Sequence, residues 1–526
     1  MSTRKSGILG LAFFLGMVLF PQVSQANDLK VTNVRLGPRD TSAKTLSVFF
    51  DISWQNSWRN KINHDAAWIT VRLQDVNLAS PEKKLCPMFA GGLNPNGTAR
   101  GSGSDLEIYV PSDKIGAFLR RSVNHATEDI TTTSAMLTVN YEACGLTETS
   151  EVSATVVALE MVYISQGAFF AGDHAVSGAA FQRGGVDNAP WPVTSESAIN
   201  VTATTGNGYY YVSAGNPGET PSGSSFVVPA VFPKGFNGFY MMKYELTEGE
   251  WVEFVNSLSS LARAHRDVTN AAHKNSDAVI ARNTVSCSGL PLVCTSERPF
   301  RAMSYLSWPD LAAFLDWAGL RPLTELEFEK AARGPFLPVN GEYAWGTTKI
   351  MAADVISGSS EDGTELVITP GANVRYNNVV LSGGDAATGP EYQQGPLRAG
   401  IFSTDSSDRE ASGAGNYGAM DLSGNVKEWT ITVGNPAGLG YTGGHGDGYL
   451  TSAAGFEGNA DVTGWPGMDT DATHGVLAVA GVGFRGGSWA DPAPRLSISD
   501  RTEAAAALSD TASTYGGRGA RSAEGQ

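Results

Sequence analysis

Apolar and polar residues alternate in short segments near the start of the chain, a pattern typical of β-strands that bury one face. Turn-forming residues separate these segments, and helical periodicity is rare among them. The clearest segments begin at Leu29, Thr45, Ala67, Leu106 and Ala135. The pattern predicts a β-sandwich of immunoglobulin-like type over residues 27–155.

After residues 161–164 the periodicity changes to that of helices embedded in glycine-rich, loop-heavy sequence. Three helices are predicted, over residues 248–258, 308–318 and 325–333. Each follows a serine or threonine with an acid three positions later, so the hydroxyl can cap free backbone amides while the acid faces the positive end of the helix dipole. The chain as a whole is predicted to have an α+β fold, with a second domain over 156–526.

The first 26 residues have the pattern of a signal peptide. Arg4 and Lys5 precede an apolar run over 8–20, and the small residues Ser24 and Ala26 fit a cleavage site. No later segment reaches the roughly 20 uninterrupted apolar residues that a membrane span needs. We therefore expect a secreted, periplasmic or cell-surface protein without a membrane span.

The charge and the cysteines narrow the class of partner. The formal net charge of −16 disfavours nucleic acid and anionic lipid, whereas an unknown protein or carbohydrate ligand, or calcium, fits it better. The four cysteines fall into two local sets, Cys86 with Cys144 and Cys287 with Cys294. In an exported protein these sets predict two disulfides rather than a metal site or a reactive thiol.

Eight segments of the second domain follow one another in the order of a known family's landmarks. They include GLRPLTELEFEKAARG at 319–334, NYGAMDLSGNVKEW at 416–429 and FRGGSW at 484–489. The others lie at 161–169, 238–247, 298–308, 343–346 and 515–521. In number and order they make residues 156–526 resemble the sulfatase-modifying factor, or formylglycine-generating enzyme, family. The resemblance implies a loop-rich variant of the C-type lectin fold.

The resemblance also implies structural calcium at two places. At the first, the ligands would be the carboxylates of Asp421 and Glu428 and the carbonyl groups of Gly424 and Val426. At the second, they would be Asn373, Val374 and the downstream acid Glu391. Carboxylates together with carbonyl oxygens are the ligands that calcium prefers. The spacing alone would also fit a turn with a solvated acid on each side.

The chain departs from the family at the residues that carry its copper chemistry. Family enzymes bind copper through two cysteines just after the landmark that ends here at Trp489, and in direct register those positions hold Asp491 and Leu496. Thiolates hold a cuprous ion, and neither aspartate nor leucine can replace them. Copper-dependent formylglycine formation, and with it any family catalytic residue, is therefore not expected.

The first functional hypothesis is an exported, non-catalytic binding or scaffold protein built on a calcium-stabilised domain of this family. Bacterial members without the cysteines have this character. One version is a retroelement-diversified surface receptor in which the segment 490–514 is variable and faces the ligand. The ligand-facing candidates are then Asp491, Arg495 and Arg501.

Two enzymatic hypotheses stay open beside it. One is a metal-dependent oxidoreductase or oxygenase with an altered active site, which would use His445, His474 and neighbouring acids. Unpaired loop histidines more often meet solvent than bind a metal. The other is formylglycine formation through an unexpected thiol, against which stands the expected disulfide between Cys287 and Cys294.

Overall fold

The structure is a computed structural model that describes most of the chain. It covers residues 29–78, 82–174, 180–183, 189–202, 209–211, 218–219, 225–358, 365–404 and 406–524. The expected signal peptide lies outside the described residues. Within these ranges, none of the helices combines the length and the apolar character that crossing a membrane takes.

Strands form the first part of the chain. All five segments in which apolar and polar residues alternate are strands. The strands are β1 (Lys30–Asp40), β2 (Thr45–Arg59), β3 (Asp65–Asp75), β4 (Lys84–Leu85), β5 (Gly92–Leu93), β6 (Thr98–Ala99), β7 (Ser102–Gly103), β8 (Leu106–Val110), β9 (Ala117–Arg121), β10 (His125–Asn140) and β11 (Val152–Ile164). One sheet has the order β1-β2-β10-β6, with β7 also paired to β10. The other contains β11, β3, β9, β8 and β5 in that order.

Side chains from these two sheets share one apolar core. Val48 of β2 and Ile69 and Val71 of β3 are fully buried in the same cluster. The disulfide between Cys86 and Cys144 joins the chain after β4 to the chain after β10, with a Cα–Cα distance of 5.0 Å. The strand prediction is thus confirmed, and the immunoglobulin-like β-sandwich stays a prediction.

Strand β11 crosses the predicted boundary between residues 155 and 156. It pairs antiparallel with β3 from Val152 to Val162, and its last four residues pair with Phe239–Met242 of the second region. The resulting nine-stranded sheet contains strands from both regions. Because the same sheet carries both, the first region is a structural part of the platform on which the second is built.

The second region is loop-rich, with short strands and five α-helices among the described residues. The helices are α1 (Glu248–Ser257), α2 (Ser260–His265), α3 (Trp308–Trp317), α4 (Glu325–Arg333) and α5 (Pro436–Leu439). The strands are β12 (Phe169–Ala171), β13 (Phe181–Arg183), β14 (Trp191–Val193), β15 (Ile199–Val201), β16 (Tyr209–Tyr211), β17 (Phe226–Val228), β18 (Phe239–Met242), β19 (Ser286–Ser288), β20 (Val293–Thr295), β21 (Arg321–Pro322), β22 (Lys427–Ile431), β23 (Val482–Arg485), β24 (Tyr515–Gly516) and β25 (Gly519–Ser522). The α+β class is confirmed, and the C-type-lectin-like type stays a prediction.

The three predicted helices are α1, α3 and α4, and each begins at the expected residue. Thr247, Ser307 and Thr324 each accept a hydrogen bond from the backbone three residues on, and the acid at that position accepts one in return. These reciprocal bonds satisfy amides that an α-helix leaves free at its start. Helices α2 and α5 are not among the predicted helices, and they are only 6 and 4 residues long.

Strand β3 packs directly against α3. Trp68 Nε1 donates a hydrogen bond to the Ala318 carbonyl at 2.8 Å, and the Arg72 guanidinium lies 4.1 Å from the centre of the Trp317 ring. Trp68 is fully buried in the largest core cluster, together with side chains of α1 and α3. A common core therefore holds the loops of the second region on a rigid base.

Candidate functional site

Helix α4 carries buried acids that the sequence places on a family landmark. Glu325 is bound by Arg485 at 3.2 Å and by Arg501 at 2.6 Å, and Glu329 is bound by Arg485 at 2.6 Å. All four side chains are fully buried. Buried charges are tolerated only when they are paired and hydrogen-bonded, so this landmark is an ion-pair network inside the domain.

Arg501 was a ligand-facing candidate, and the structure corrects that interpretation. Its guanidinium lies between Glu325 and the Phe181 ring, whose centre is 4.1 Å away, and none of the side chain is exposed. It also lies 3.1 Å from a carboxylate oxygen of Glu219. The segment 490–514 is therefore not uniformly directed at a ligand.

The two positions at which the resemblance would place the family cysteines have structural roles. Asp491 Oδ2 accepts hydrogen bonds from the Ser488 backbone at 3.0 Å and from the Ser488 hydroxyl at 2.5 Å, which closes the turn after the landmark. Leu496 is fully buried in a core cluster. Neither side chain offers a soft ligand for copper.

Both predicted disulfides are confirmed. Cys287 and Cys294 are paired through neighbouring strands β19 and β20, and Cys86 is bonded to Cys144. These are the four cysteines of the chain, and none of them is free. The hypothesis of an unexpected reactive thiol therefore lacks a thiol.

A pocket of about 490 Å³ opens beside Arg495, and we call it the Arg495 pocket. Its polar walls come from Asp173, Tyr343, Arg495, Ser497, Ser499, Asp500 and Thr502. Asp173 Oδ2 accepts hydrogen bonds from the Ser499 hydroxyl at 2.7 Å and from the Gly341 backbone at 3.1 Å, which fixes one wall. Of the three ligand-facing candidates, Arg495 lines this pocket, whereas Asp491 closes the turn and Arg501 is buried.

Two groups of the pocket titrate away from their usual range. Burial raises the pKa of the Asp500 carboxyl, an effect that its hydrogen bond with Thr502 and the charge of Arg495 partly offset. Burial also raises the pKa of the Tyr343 hydroxyl. Arg495 Nη1 is 3.7 Å from Asp500 Oδ1, and the Arg495 side chain is 35 % exposed. The pocket thus offers a partly exposed cation beside hydroxyl groups and a carboxyl.

The first calcium loop is held by an arginine. Both carboxylate oxygens of Glu428 accept hydrogen bonds from Arg518, at 2.7 and 2.8 Å, and Asp421 Oδ2 accepts one from the Gly400 backbone at 2.5 Å. A guanidinium that occupies both oxygens supplies the positive charge that calcium would bring. With Arg518 in this position Glu428 does not fit the role of a calcium ligand, and calcium at this loop stays a prediction that chelation tests.

Glu245 is a third buried acid at this loop, and it is not among the site residues predicted from the sequence. Its carboxylate accepts hydrogen bonds from the Asn425 side chain at 2.5 Å and from the Val426 backbone at 3.0 Å. Burial, reinforced by the charges of Asp421 and Glu428, raises its pKa well above the usual range. Glu245 lies within the landmark 238–247, and this position was the sequence signal that could have identified it as a site residue.

The residues of the second calcium prediction are already bound within the protein or lie at its surface. Asn373 Oδ1 accepts a hydrogen bond from the Met351 backbone at 3.0 Å, and the Val374 carbonyl accepts one from Ala353 at 3.0 Å. Glu391 is exposed, whereas Asn373 is buried. These contacts do not favour a calcium shell, and this site also stays a prediction.

The two histidines of the oxygenase hypothesis have separate partners. His445 Nε2 accepts a hydrogen bond from the Ser522 backbone at 2.9 Å, and burial lowers the pKa of His445 well below its usual value. His474 Nδ1 lies 2.6 Å from Asp469 Oδ2, and its ring stacks on Phe456 at 3.7 Å. Among the described residues, no group of three or more histidine, cysteine, aspartate or glutamate side chains is placed to hold a metal ion.

The architecture is that of a loop-rich α+β domain whose landmark motifs form its ion pairs and turns. Residues 216–523 match the family model described as a sulfatase-modifying factor enzyme 1-like domain, which is more than half of the chain. The protein therefore belongs to the sulfatase-modifying factor family. Comparison with curated proteins finds no match.

Proposed function

We propose that this protein is an exported, non-catalytic binding or scaffold protein whose ligand occupies the Arg495 pocket. The observations that carry the proposal are the contacts at the two positions where the resemblance places the copper cysteines, together with the disulfide state of the four cysteines. Asp491 closes a turn and Leu496 fills the core at those positions, while every cysteine of the chain is in a disulfide. The family scaffold is retained without the thiols that its copper chemistry uses.

The segment that lines the pocket has two alternating sets of side chains. Leu496 and Ile498 point into the core, whereas Arg495, Ser497 and Ser499 line the pocket. A loop anchored in this way presents its binding groups from a rigid base, which lowers the entropic cost of ordering them on binding. This arrangement supports a binding role for part of the segment 490–514.

The lining supports a carbohydrate as the ligand class. Hydroxyl groups, a carboxyl and a guanidinium can pair with the many hydroxyl groups of a sugar. The net charge of −16 gives no support to a nucleic-acid partner. A C-type-lectin-like domain beside an immunoglobulin-like sandwich is the finer form of the proposal, and chelation decides whether calcium also stabilises it.

A retroelement-diversified receptor is the most specific version of this function. The structure supports a distinction within the segment 490–514, because substitutions at Arg495 and Ser497 would change the pocket while substitutions at Leu496 would disturb the core. A nearby adenine-biased copy of the coding segment that spares the Leu496 codon would support this version. A genomic region without such a copy would remove it.

The proposal is tested by screening the purified full-length protein on an array of glycans. Binding that R495A weakens by about tenfold or more, at unchanged melting temperature, would support the pocket. The matched control is R100A, since Arg100 is exposed and does not line the pocket. Equal binding by R495A and the unaltered protein, or aldehyde formation on a sulfatase-type peptide, would overturn the proposal.

A further inference from the structure

A second cavity, of about 580 Å³, lies between the loop after β2 and the end of α4. We call it the Lys330 cavity, and its principal lining side chains are Lys61, Ile62, Gln166, Lys330, Phe336 and Tyr417. Asn63 Nδ2 donates a hydrogen bond to the Tyr417 carbonyl at 3.0 Å, which holds the two sides of the cavity together. Clefts between separate parts of a chain are common ligand sites.

The ammonium group of Lys330 is buried beside this cavity. Lys330 Nζ donates a hydrogen bond to the Gly167 carbonyl at 2.5 Å and lies 5.3 Å from the centre of the Phe169 ring. An ammonium group has three N–H donors, and the hydrogen bond to Gly167 is the one it makes with a described residue. The remaining donor capacity is available to water or to a ligand in the cavity.

The charge around Lys330 favours an anion. Lys61 is a second cation at the cavity, and none of the described residues that line it is acidic. Such a lining contrasts with the net charge of −16 of the whole protein. Burial lowers the pKa of Lys330 to about 8, and the charge of Glu196 partly offsets that fall. The ammonium group is therefore still largely charged at neutral pH.

The rim of the cavity is apolar. Ile62 and Phe336 line it and are 65 % and 58 % exposed, and Leu337 beside them is 69 % exposed. Apolar side chains grouped at the mouth of a cavity mark a place where a ligand can bury them.

We propose that the Lys330 cavity binds an organic carboxylate, with its carboxylate group on Lys330 and its apolar body on Phe336 and Ile62. Hydrogen bonds between an ammonium and a carboxylate are charge-assisted and stronger than those between neutral groups. The apolar rim matches the body of such a ligand, and none of the described lining residues is acidic. This site is separate from the Arg495 pocket, so the two proposals stand or fall independently.

The first test is titration calorimetry of the full-length protein with 4-phenylbutyrate and with its neutral analogue 4-phenylbutanol. We expect the acid to bind at least about tenfold more tightly than the alcohol, because only the acid can pair with Lys330. Equal affinities, or no binding of either probe at millimolar concentration, would overturn the proposal. Raising the pH from 7 to 9.5 is expected to remove most of this preference, since Lys330 then loses its charge.

Variants assign the two contacts separately. K330Q is expected to abolish the preference for the acid, and K330R to retain it. F336S should weaken binding of both probes, whereas L337S, at an exposed neighbour outside the cavity lining, should change neither. F336S alters an exposed side chain and keeps the test available if K330Q does not fold. An unchanged preference in K330Q, or equal effects of F336S and L337S, would contradict the assignment.

A further experiment distinguishes two possible sources of the bound carboxylate, a peptide C-terminus and a small-molecule acid. A short peptide ending in phenylalanine is compared as its free acid and as its C-terminal amide. Selective binding of the peptide acid identifies a chain terminus as the carboxylate source. Binding of 4-phenylbutyrate without the peptide acid identifies a small-molecule acid, and both results support the Lys330 contact.

Discussion

Arg518 binds Glu428 through both carboxylate oxygens in the interior of the protein, at 2.7 and 2.8 Å. The two residues belong to separate landmarks, at 416–429 and 515–521. Arg518 also donates hydrogen bonds to the carbonyl groups of Met420 and Lys243. One arginine thus ties the loop before β22 to the end of β18, so these landmarks occur together for a structural reason.

Chelation decides whether calcium or Arg518 neutralises this loop. We expect EDTA to leave the melting temperature unchanged, because Arg518 already occupies Glu428. Calcium bound only to the folded state would instead stabilise it by mass action. A fall in melting temperature with EDTA that added calcium reverses, and that E428Q abolishes, would establish calcium there.

E428Q itself is expected to be strongly destabilising. Removal of one partner from a buried ion pair typically costs about 3–5 kcal/mol, because the other charge stays buried without compensation. Denaturant unfolding, with and without EDTA, measures this loss. K349M provides a control, since the side chain of Lys349 is 79 % exposed and its ion pair with Glu410 lies at the surface.

Arg501 and Arg495 are expected to respond oppositely to truncation. R501A should lower the free energy of unfolding by about 3–5 kcal/mol, since it leaves the buried Glu325 short of a partner. R495A should change it by less than about 0.5 kcal/mol, because the side chain is partly exposed and only 3.7 Å from its partner. Urea unfolding of both variants checks this order, and a reversed order would contradict the stabilising role of the Arg501 ion pair.

Sequence reasoning succeeded where structure is determined locally. The capping signals at Thr247, Ser307 and Thr324 lie within one helical turn of the residues they fix, so α1, α3 and α4 were predicted closely. Arg501 could not be placed in this way. Its partner Glu325 is 176 residues away, and only the fold brings the two together.

The position of the domain boundary also depends on contacts between segments that are distant in sequence. The predicted boundary between residues 155 and 156 falls inside β11, whose two ends pair with β3 and with β18. Hydrophobic periodicity reports which face of a strand is buried and not which strand lies beside it. The Lys330 cavity escaped the sequence analysis for the same reason, because its walls come from segments around Ile62 and Lys330 that are distant in sequence.

The two disulfides should differ in their effect on stability. They close loops with sequence separations of 58 and 7 residues. The entropy of loop closure predicts losses of about 4 kcal/mol for C86A/C144A and about 2 kcal/mol for C287A/C294A. Denaturant unfolding of the two double variants measures the difference. Equal losses would show that packing around the cysteines, and not loop length, sets their contribution.

Asp461 should make the protein more stable as the pH falls from about 6 to 4. Burial and the charge of Asp447 raise the pKa of Asp461 to about 6, against an ordinary value of 3.8. The folded state then takes up the proton at a higher pH than the unfolded state, so stability decreases as the pH rises through this window. D461N should flatten the dependence of stability on pH, as measured by urea unfolding between pH 4 and 7.

The opposite case is Asp469, whose pKa is lowered chiefly by a hydrogen bond with His474. D469N should lose stability at the upper end of the range, and a D461N profile parallel to that of the unaltered protein would refute the assignment.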